Sequence, residues 1–290
     1  MNVTRLIGSC ALLLFAFGVN AFPTGKSAFD FDDGFGHKIN VLVYQPIKFE
    51  KTSPIQFVMH GMSRNAAQTR ENWIALAERA QVLVVAPEFD EKQFKRTNDY
   101  SLGGVRDGRL TVNSLLAIEL LFDAIKKNTG SDRASYRIFG HSAGAQFVHR
   151  LLLLVPENRA EWAIASNAGR YTWPEWRAGK GALPLPNGLL NVEGAESKLK
   201  MALGKNLIVM LGEADNDPNH GQLTHGKEVD QQGLERLSRG RNFFEAGQTA
   251  AAEMKLTTKW MLKTVPNVGH DSAGMAQAAI ALMYPVDLKP

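Results

Sequence analysis

The sequence has 290 residues, of which 44% are hydrophobic and 21% are charged, and its formal net charge is +4. This composition is typical of a globular protein long enough to bury a core without disulfides or metals, and it argues against disorder. The lysines and arginines are interspersed rather than clustered, so the charge does not indicate a nucleic-acid partner.

Residues 1–21 have the pattern of a secretory signal peptide. One positive side chain precedes an apolar run from Leu6 to Val19, and Val19-Asn20-Ala21 resembles a cleavage site with small or aliphatic residues at its −3 and −1 positions. The apolar run is too short to span a bilayer, so no stable membrane insertion is expected. The only cysteine, Cys10, lies in this segment. We therefore expect a cysteine-free mature domain over residues 22–290, exported to the periplasm or the exterior of a bacterial cell.

After the leader, short runs rich in Val, Ile, Leu and Phe alternate with helical patterns, which predicts a mostly parallel sheet with helices on both faces. An alternating segment, Lys38 to Tyr44, is expected to form an antiparallel hairpin with the segment before it. The later predicted strands are Ile55–Met59, Val82–Ala86, Tyr136–Phe139, Trp162–Ser166, Asn206–Leu211 and Lys259–Val265. The predicted helices are Gln68–Ala80, Thr111–Asn128, Ala143–Val155 and Leu234–Met254.

One stretch, Tyr171 to Lys205, interrupts this alternation. It contains three prolines and two tryptophans, Trp173 and Trp176, but no clean strand. Two tryptophans so close together usually need an apolar surface to cover. We therefore predict a lid-like insertion over about residues 171–205, with both tryptophans lining a substrate pocket. The alternative is a long surface loop.

The segment Gly140-His141-Ser142-Ala143-Gly144 matches the pattern G-x-S-x-G in the strand–turn–helix context that the motif requires. The predicted strand Tyr136–Phe139 ends just before it, and an apolar helix follows it. A serine in so tight a turn needs glycines two residues away on each side, because any side chain there would clash. The pattern predicts Ser142 as a nucleophile, and the alternative is a Gly-Ser turn that caps an ordinary helix.

A serine hydroxyl is a weak nucleophile until a base takes its proton, and the base needs an acid that holds its tautomer. His270 follows the last predicted strand and is the expected base. Asp215 lies in the turn after the preceding predicted strand and is the expected acid, with Asp217 and then Glu213 as alternatives. The order serine, aspartate, histidine along the chain is the order expected for this motif.

A developing oxyanion needs two backbone N–H donors. Ala143 follows the nucleophile at a helix N-terminus, and Met62 follows an early predicted strand that ends in His-Gly, so their N–H groups are the predicted oxyanion hole. His220 and His225 lie near the two aspartates and raise the possibility of a metal site. No helix fixes their spacing, so no metal is predicted.

Three segments carry a family resemblance: His60-Gly61-Met62-Ser63-Arg64-Asn65-Ala66, the motif around Ser142, and the closing Val268-Gly269-His270. Together they resemble the α/β-hydrolase superfamily, and within it the polyhydroxybutyrate depolymerase and feruloyl esterase-like branch. The resemblance implies an α/β-hydrolase fold and an exported enzyme that cleaves small-molecule or oligomeric esters without a cofactor. The sequence departs from the branch where some relatives carry Cys in place of Met62, and no separate polymer-binding domain is expected from it.

Two other functions are compatible with the same residues. Nothing in the sequence separates ester from amide cleavage, so an amidase or peptidase with this triad is one alternative. A catalytically silent binding protein that kept the fold is the other. The second alternative is disfavoured because every catalytic position is filled.

Overall fold

The protein is described here by a computed structural model that covers residues 22–95, 97–106, 109–110, 114–179 and 181–284, so the predicted signal peptide lies outside the described residues. Ten strands are present in this part of the chain. They are β1 (Gly25–Asp32), β2 (Lys38–Gln45), β3 (Ile55–Met59), β4 (Leu83–Glu88), β5 (Val105–Arg106), β6 (Arg109–Leu110), β7 (Tyr136–His141), β8 (Ala160–Ser166), β9 (Leu207–Gly212) and β10 (Met261–Val265).

Eight of these strands form one sheet in the order β1-β2-β4-β3-β7-β8-β9-β10. Strand β2 pairs antiparallel with β1 and β4, and every other pair in this sheet is parallel. The antiparallel start and the parallel remainder confirm the fold that the sequence predicts. Strands β5 and β6 form a separate two-stranded ribbon.

The described helices are α1 (Ala66–Glu71), α2 (Ile74–Ala80), α3 (Thr97–Tyr100), α4 (Ser114–Thr129), α5 (Ala143–Leu154), α6 (Ala195–Leu203), α7 (Arg236–Glu253) and α8 (Ser272–Met283). Side chains fix several of their starts. Asn65 accepts a hydrogen bond from the Gln68 N–H at the start of α1, and Asp271 accepts from two N–H groups at the start of α8. None of the described helices is both long and apolar enough to cross a membrane.

Alternating side chains of the central strands supply two hydrophobic clusters, one on each face of the sheet. In β3, Phe57 and Met59 belong to one cluster and Val58 to the other. The first cluster includes residues of α4, α5 and α6, and the second includes residues of α2 and α8. Both faces are therefore buried, as expected when helices cover a parallel sheet on both sides.

The structure differs from the predicted elements in several places, and helix α3 and the ribbon β5–β6 were not predicted. The helix predicted over Gln68–Ala80 is two short helices separated at Asn72 and Trp73, and the Trp73 indole is completely buried against Phe139. The segment predicted as a lid contains α6, which packs against α5 and α7. Helix α8, directly after the predicted base, was not predicted. The first residues of the helix expected from Thr111 lie outside the described residues.

Candidate active site

Ser142 occupies a sharp turn between β7 and α5, with φ 58° and ψ −115°. This left-handed φ is rare for a residue other than glycine and marks a strained position. The flanking glycines make the turn possible, because a Cβ on Gly140 would overlap the carbonyl of Gly144, and a Cβ on Gly144 would overlap the carbonyl of Met59. The two glycines of the motif are therefore needed for the steric reason that their spacing predicts.

The three predicted catalytic side chains form one hydrogen-bonded chain. His270 Nε2 lies 3.1 Å from Ser142 Oγ, and His270 Nδ1 lies 2.7 Å from Asp215 Oδ2. The three residues directly follow β7 or lie in the loops after β9 and β10, all at the carboxyl edge of the parallel part of the sheet. This is where an open α/β sheet places its ligand sites.

The two alternative acids lie elsewhere. Asp217 is exposed, and its Oδ1 accepts a hydrogen bond from the Asn219 N–H at 2.8 Å. Glu213 accepts from the Thr264 hydroxyl at 2.7 Å, on the outside of the molecule. The geometry therefore selects Asp215 as the partner of His270.

Asp215 has a second partner, Arg236, which the sequence did not indicate. Arg236 Nη1 lies 3.2 Å from Asp215 Oδ1, and both side chains are almost fully buried. Burial by itself would raise the pKa of Asp215. The hydrogen bond and charge of His270, together with the charge of Arg236, outweigh that cost and hold the pKa below its ordinary value. The acid is therefore ionised, and each of its two oxygens has a donor.

The imidazole of His270 contacts two other histidine rings. The ring centroid of His141 is 4.5 Å away, and that of His220 is 5.3 Å away. Burial, and to a smaller extent the charge of His270, lowers the pKa of His141 to about 3. His141 therefore contributes a neutral ring surface to the site.

Both predicted oxyanion donors belong to residues close to the nucleophile, since Ala143 follows Ser142 and Met62 lines the same cavity. Ala143 is the first residue of α5, and the earliest backbone hydrogen bond of that helix runs from Gln146 N–H to Ser142 O, so the Ala143 N–H is not used by the helix ladder. A Cβ on Gly61 would lie 3.7 Å from the Ser142 Cβ, which brings the adjacent Met62 to the site.

The turn that carries Met62 is fixed by His60. Its Nδ1–H donates to Gly61 O at 3.0 Å, and its Nε2 accepts from the Phe89 N–H at 3.1 Å. The Tyr100 hydroxyl donates to His60 O at 2.7 Å. These contacts hold the loop after β3 beside the nucleophile.

A cavity opens at Ser142 and His270, and its walls are mostly polar and uncharged. They include Met62, Asn65, Gln68, Asn72, Gln222 and Ser272. None of the described residues of the segment 171–205 lines it.

Trp173 and Trp176 are not brought together with Ser142. Trp173 lines a separate surface cavity with Leu183 and Gln232, and Trp176 lines another at the start of α6. Both indoles pack against the main core cluster. The sequence predicts that both tryptophans line the substrate pocket, but neither of them lines the cavity at Ser142.

The histidines considered for a metal have other contacts. His225 contacts Asp230 and the carbonyl of Pro218. His220 Nδ1 accepts a hydrogen bond from the Gln222 N–H and lies 3.4 Å from the Arg236 guanidinium. Among the described residues no group of three or more His, Cys, Asp or Glu side chains is arranged to hold a metal ion.

No protein-family model matches the sequence, and no curated protein matches it. Solved structures do. Poly(aspartic acid) hydrolase-1 from Sphingomonas sp. KT-1 is 37% identical, with a TM-score of 0.85 over 90% of this chain and 99% of that one. The poly(3-hydroxybutyrate) depolymerase LpqC from Bordetella parapertussis is 29% identical, with a TM-score of 0.84 over 92% and 93% of the two chains. An S-formylglutathione hydrolase from Agrobacterium tumefaciens, at 14% identity and a TM-score of 0.58 over 89% and 92%, shares the fold alone.

The strained serine turn at the carboxyl edge of a mostly parallel sheet defines the class of this protein as a hydrolase with a serine at the nucleophile position. The chain belongs to the α/β-hydrolase superfamily. Its similarity to the Bordetella depolymerase also confirms the branch that the sequence resembles.

Proposed function

We propose that the protein is an exported serine esterase that works through Ser142, His270 and Asp215 and an acyl-enzyme intermediate. The observation that carries the proposal is the hydrogen-bonded chain from Ser142 Oγ through His270 to Asp215, with distances of 3.1 Å and 2.7 Å. Nucleophile, base and orienting acid need this mutual geometry for acyl transfer.

In the first half of the reaction, His270 Nε2 takes the proton of Ser142 while Oγ attacks the ester carbonyl. The N–H groups of Met62 and Ala143 hold the oxyanion that forms. His270 then gives its proton to the departing alcohol, which leaves Ser142 acylated. Asp215 stays ionised and stabilises the imidazolium in both steps.

In the second half, water replaces the alcohol. His270 takes a proton from the water, the resulting hydroxide attacks the acyl carbonyl, and collapse of the second oxyanion returns the proton to Ser142 Oγ and releases the acid. These steps need no cofactor.

Ester cleavage is the preferred chemistry, and amide cleavage is a second candidate with its own support. Poly(3-hydroxybutyrate) is a polyester, which favours an ester substrate for a chain 29% identical to its depolymerase. Poly(aspartic acid) is joined by amide bonds, and the hydrolase named for it is 37% identical. An ester and an amide that share one acyl group, assayed side by side on the purified protein, separate the two chemistries.

The test of the nucleophile is covalent labelling by a fluorophosphonate probe. The wild-type protein should be labelled and should hydrolyse a 4-nitrophenyl ester. Ser142→Ala should be unlabelled and at least about 10³-fold slower, with an unchanged circular dichroism spectrum, because only a hydroxyl is removed. Labelling or turnover that persists in Ser142→Ala would overturn the proposal, and a folded wild-type protein that resists the probe would favour the silent binding protein.

Export rests on the signal-peptide pattern of residues 1–21. N-terminal sequencing of the protein recovered from the periplasm or the medium of a bacterial host should begin at Phe22. Recovery of the uncleaved chain from the cytoplasm alone would contradict export.

A further inference from the structure

Two arginines that pair with no described carboxylate meet at α5, the helix that follows Ser142. Arg150, on α5, is fully buried, and Arg170, in the loop after β8, is partly buried. Both guanidinium groups contact the same atom, Gln146 Oε1, at 3.4 Å from Arg150 Nη1 and 3.5 Å from Arg170 Nε. Gln146 lies one helical turn after Ser142.

The hydrogen-bond acceptors of this pair are neutral oxygens. Arg150 donates to the Thr172 hydroxyl and to the Ser101 carbonyl, both at 2.8 Å. Its Nη2 is buried without a hydrogen-bond partner among the residues that the structure describes. Neither Arg150 nor Arg170 forms an ion pair with a carboxylate in that part of the chain, and burial lowers the pKa of both.

Two other buried arginines, Arg236 and Arg239, are each paired with an aspartate. Arg236 is paired with Asp215 at 3.2 Å, and Arg239 with Asp230 at 2.9 Å. Two neighbouring like charges that are partly out of water raise the free energy of the folded state unless an anion offsets them. The fold supplies that anion at Arg236 and Arg239, whereas no described carboxylate pairs with Arg150 or Arg170.

The pair lies at the catalytic end of the sheet. Arg170 follows Ser166, the last residue of β8, whose carbonyl accepts the Ser142 N–H at 3.0 Å. The α-carbons of Gln146 and Ser142 are about 6 Å apart for a regular helix. Arg170 does not line the polar cavity at Ser142, so a substrate must extend from the nucleophile toward the loop after β8 to reach it.

We propose that Arg170 binds a carboxylate of the substrate, with Gln146 orienting its guanidinium and Arg150 adding to the positive potential. The preferred substrate is then an ester of a dicarboxylic acid, or an oligomer with acidic side groups, whose free carboxylate lies several bonds from the scissile carbonyl. A guanidinium suits this role because it pairs with a carboxylate through two parallel N–H donors. The inference rests on the proposed function, since it assigns the substrate of the same site.

The test compares two activated esters that share the same adipoyl chain. These are 4-nitrophenyl hydrogen adipate, which carries a free carboxylate, and its methyl ester, which carries none. Wild-type kcat/KM should favour the anionic ester, and added salt should reduce that preference. Arg170→Gln should lower the anionic-to-neutral ratio of kcat/KM by about 10-fold or more, as expected for loss of a charged hydrogen bond. Arg170→Lys should retain part of the ratio.

The matched control is Arg177→Gln, which removes an exposed arginine of the same segment that pairs with Glu175 and Glu253 on the surface. Its ratio should equal that of the wild type. A wild-type protein that hydrolyses both esters without preference, or an Arg170→Gln variant with an unchanged ratio, would overturn the carboxylate site and leave the esterase proposal standing. Failure of the wild-type protein to hydrolyse either ester would count against the proposed function itself.

Discussion

At the scale of single residues, the acid of the proposed triad is a role that either of two nearby aspartates could have filled. Asp215 is buried and bound to His270, whereas Asp217 is exposed and serves only a local turn. Asp215→Asn should lower kcat by about 10⁴-fold, because an amide favours the wrong imidazole tautomer. Asp217→Asn should stay close to the wild type. Steady-state kinetics of the two variants decide the matter, and an inactive Asp217→Asn beside an active Asp215→Asn would reverse the assignment.

Arg236 gives a second prediction at this scale. Its replacement by Gln leaves Asp215 buried with one charged partner fewer, so the pKa of Asp215 should rise from its present low value. Breaking a buried ion pair of this kind costs about 3 kcal/mol of stability or more. Because the folded-state pKa of Asp215 is depressed, this carboxylate stabilises the fold above its ordinary pKa, and that stabilisation is lost as the pH falls through the depressed value.

The measurement is a carboxyl NMR titration of Asp215 together with urea unfolding. In Arg236→Gln the carboxylate should protonate at a higher pH than in the wild type, and kcat should fall. Arg236→Lys, which keeps the charge, is the matched control and should lie between the two. Equal titration curves in all three proteins would show that Arg236 does not act on the acid.

The proposed reacting groups were easier to predict from the sequence than the side chains around them. Ser142 and His270 follow from a motif and from chain order, because strained turns and strand ends leave a local signature. Arg236 has no such signature, since it lies 21 residues after Asp215 and reaches it only through the packing of α7 against β9. His220, beside His270, is likewise placed by tertiary structure alone.

At the scale of elements, the segment 171–205 gives a prediction that distinguishes an effect on stability from an effect on substrate specificity. Trp173 and Trp176 pack on the core and do not line the cavity at Ser142. Trp173→Ala and Trp176→Ala should therefore each lower the free energy of unfolding by about 2 kcal/mol or more, through lost burial.

The kinetic measurement for these two variants is a series of 4-nitrophenyl esters from acetate to octanoate. Any loss of kcat/KM should be similar for short and long acyl chains and should follow the loss of stability. A selective loss with the longer chains would instead indicate that the indoles contact the substrate, as the predicted lid requires.

Two helices that the sequence did not predict, α6 and α8, were missed for identifiable reasons. Helix α8 is built almost entirely from small and apolar residues between Ser272 and Met283, so it lacks the polar stripe that marks an amphipathic helix. Helix α6 follows a stretch rich in proline and glycine, which hides its short helical pattern. The strands were easier, because their buried Val, Ile and Leu runs are bounded by turn residues on both sides.

At the scale of the whole molecule, several histidines are buried in a neutral form. His149 Nδ1–H donates to Ala145 O at 2.9 Å, and its Nε2 accepts from the Thr172 N–H at 3.0 Å. His60 has an equivalent arrangement with one donor and one acceptor. Protonation of either imidazole would add an N–H group at Nε2, which would then face a backbone N–H donor instead of accepting from it. Burial lowers the pKa of His60 to about 4 and that of His149 well below its ordinary value.

These histidines should make the protein less stable in mild acid. With His141, whose pKa is lowered to about 3, three imidazoles stay neutral when folded but take up a proton near pH 6.5 when unfolded. Stability should therefore be greatest above pH 6.5 and fall as the pH drops toward the lowered folded-state values, by about 2 kcal/mol for each histidine at pH 5.

Urea unfolding between pH 8 and pH 5 measures this pH dependence of the free energy of unfolding. His141→Phe, which keeps a ring against His270, should remove about one third of this histidine contribution, whereas the exposed control His225→Gln should change it less. The same pH dependence in His141→Phe as in the wild type would mean that His141 is protonated in the folded protein.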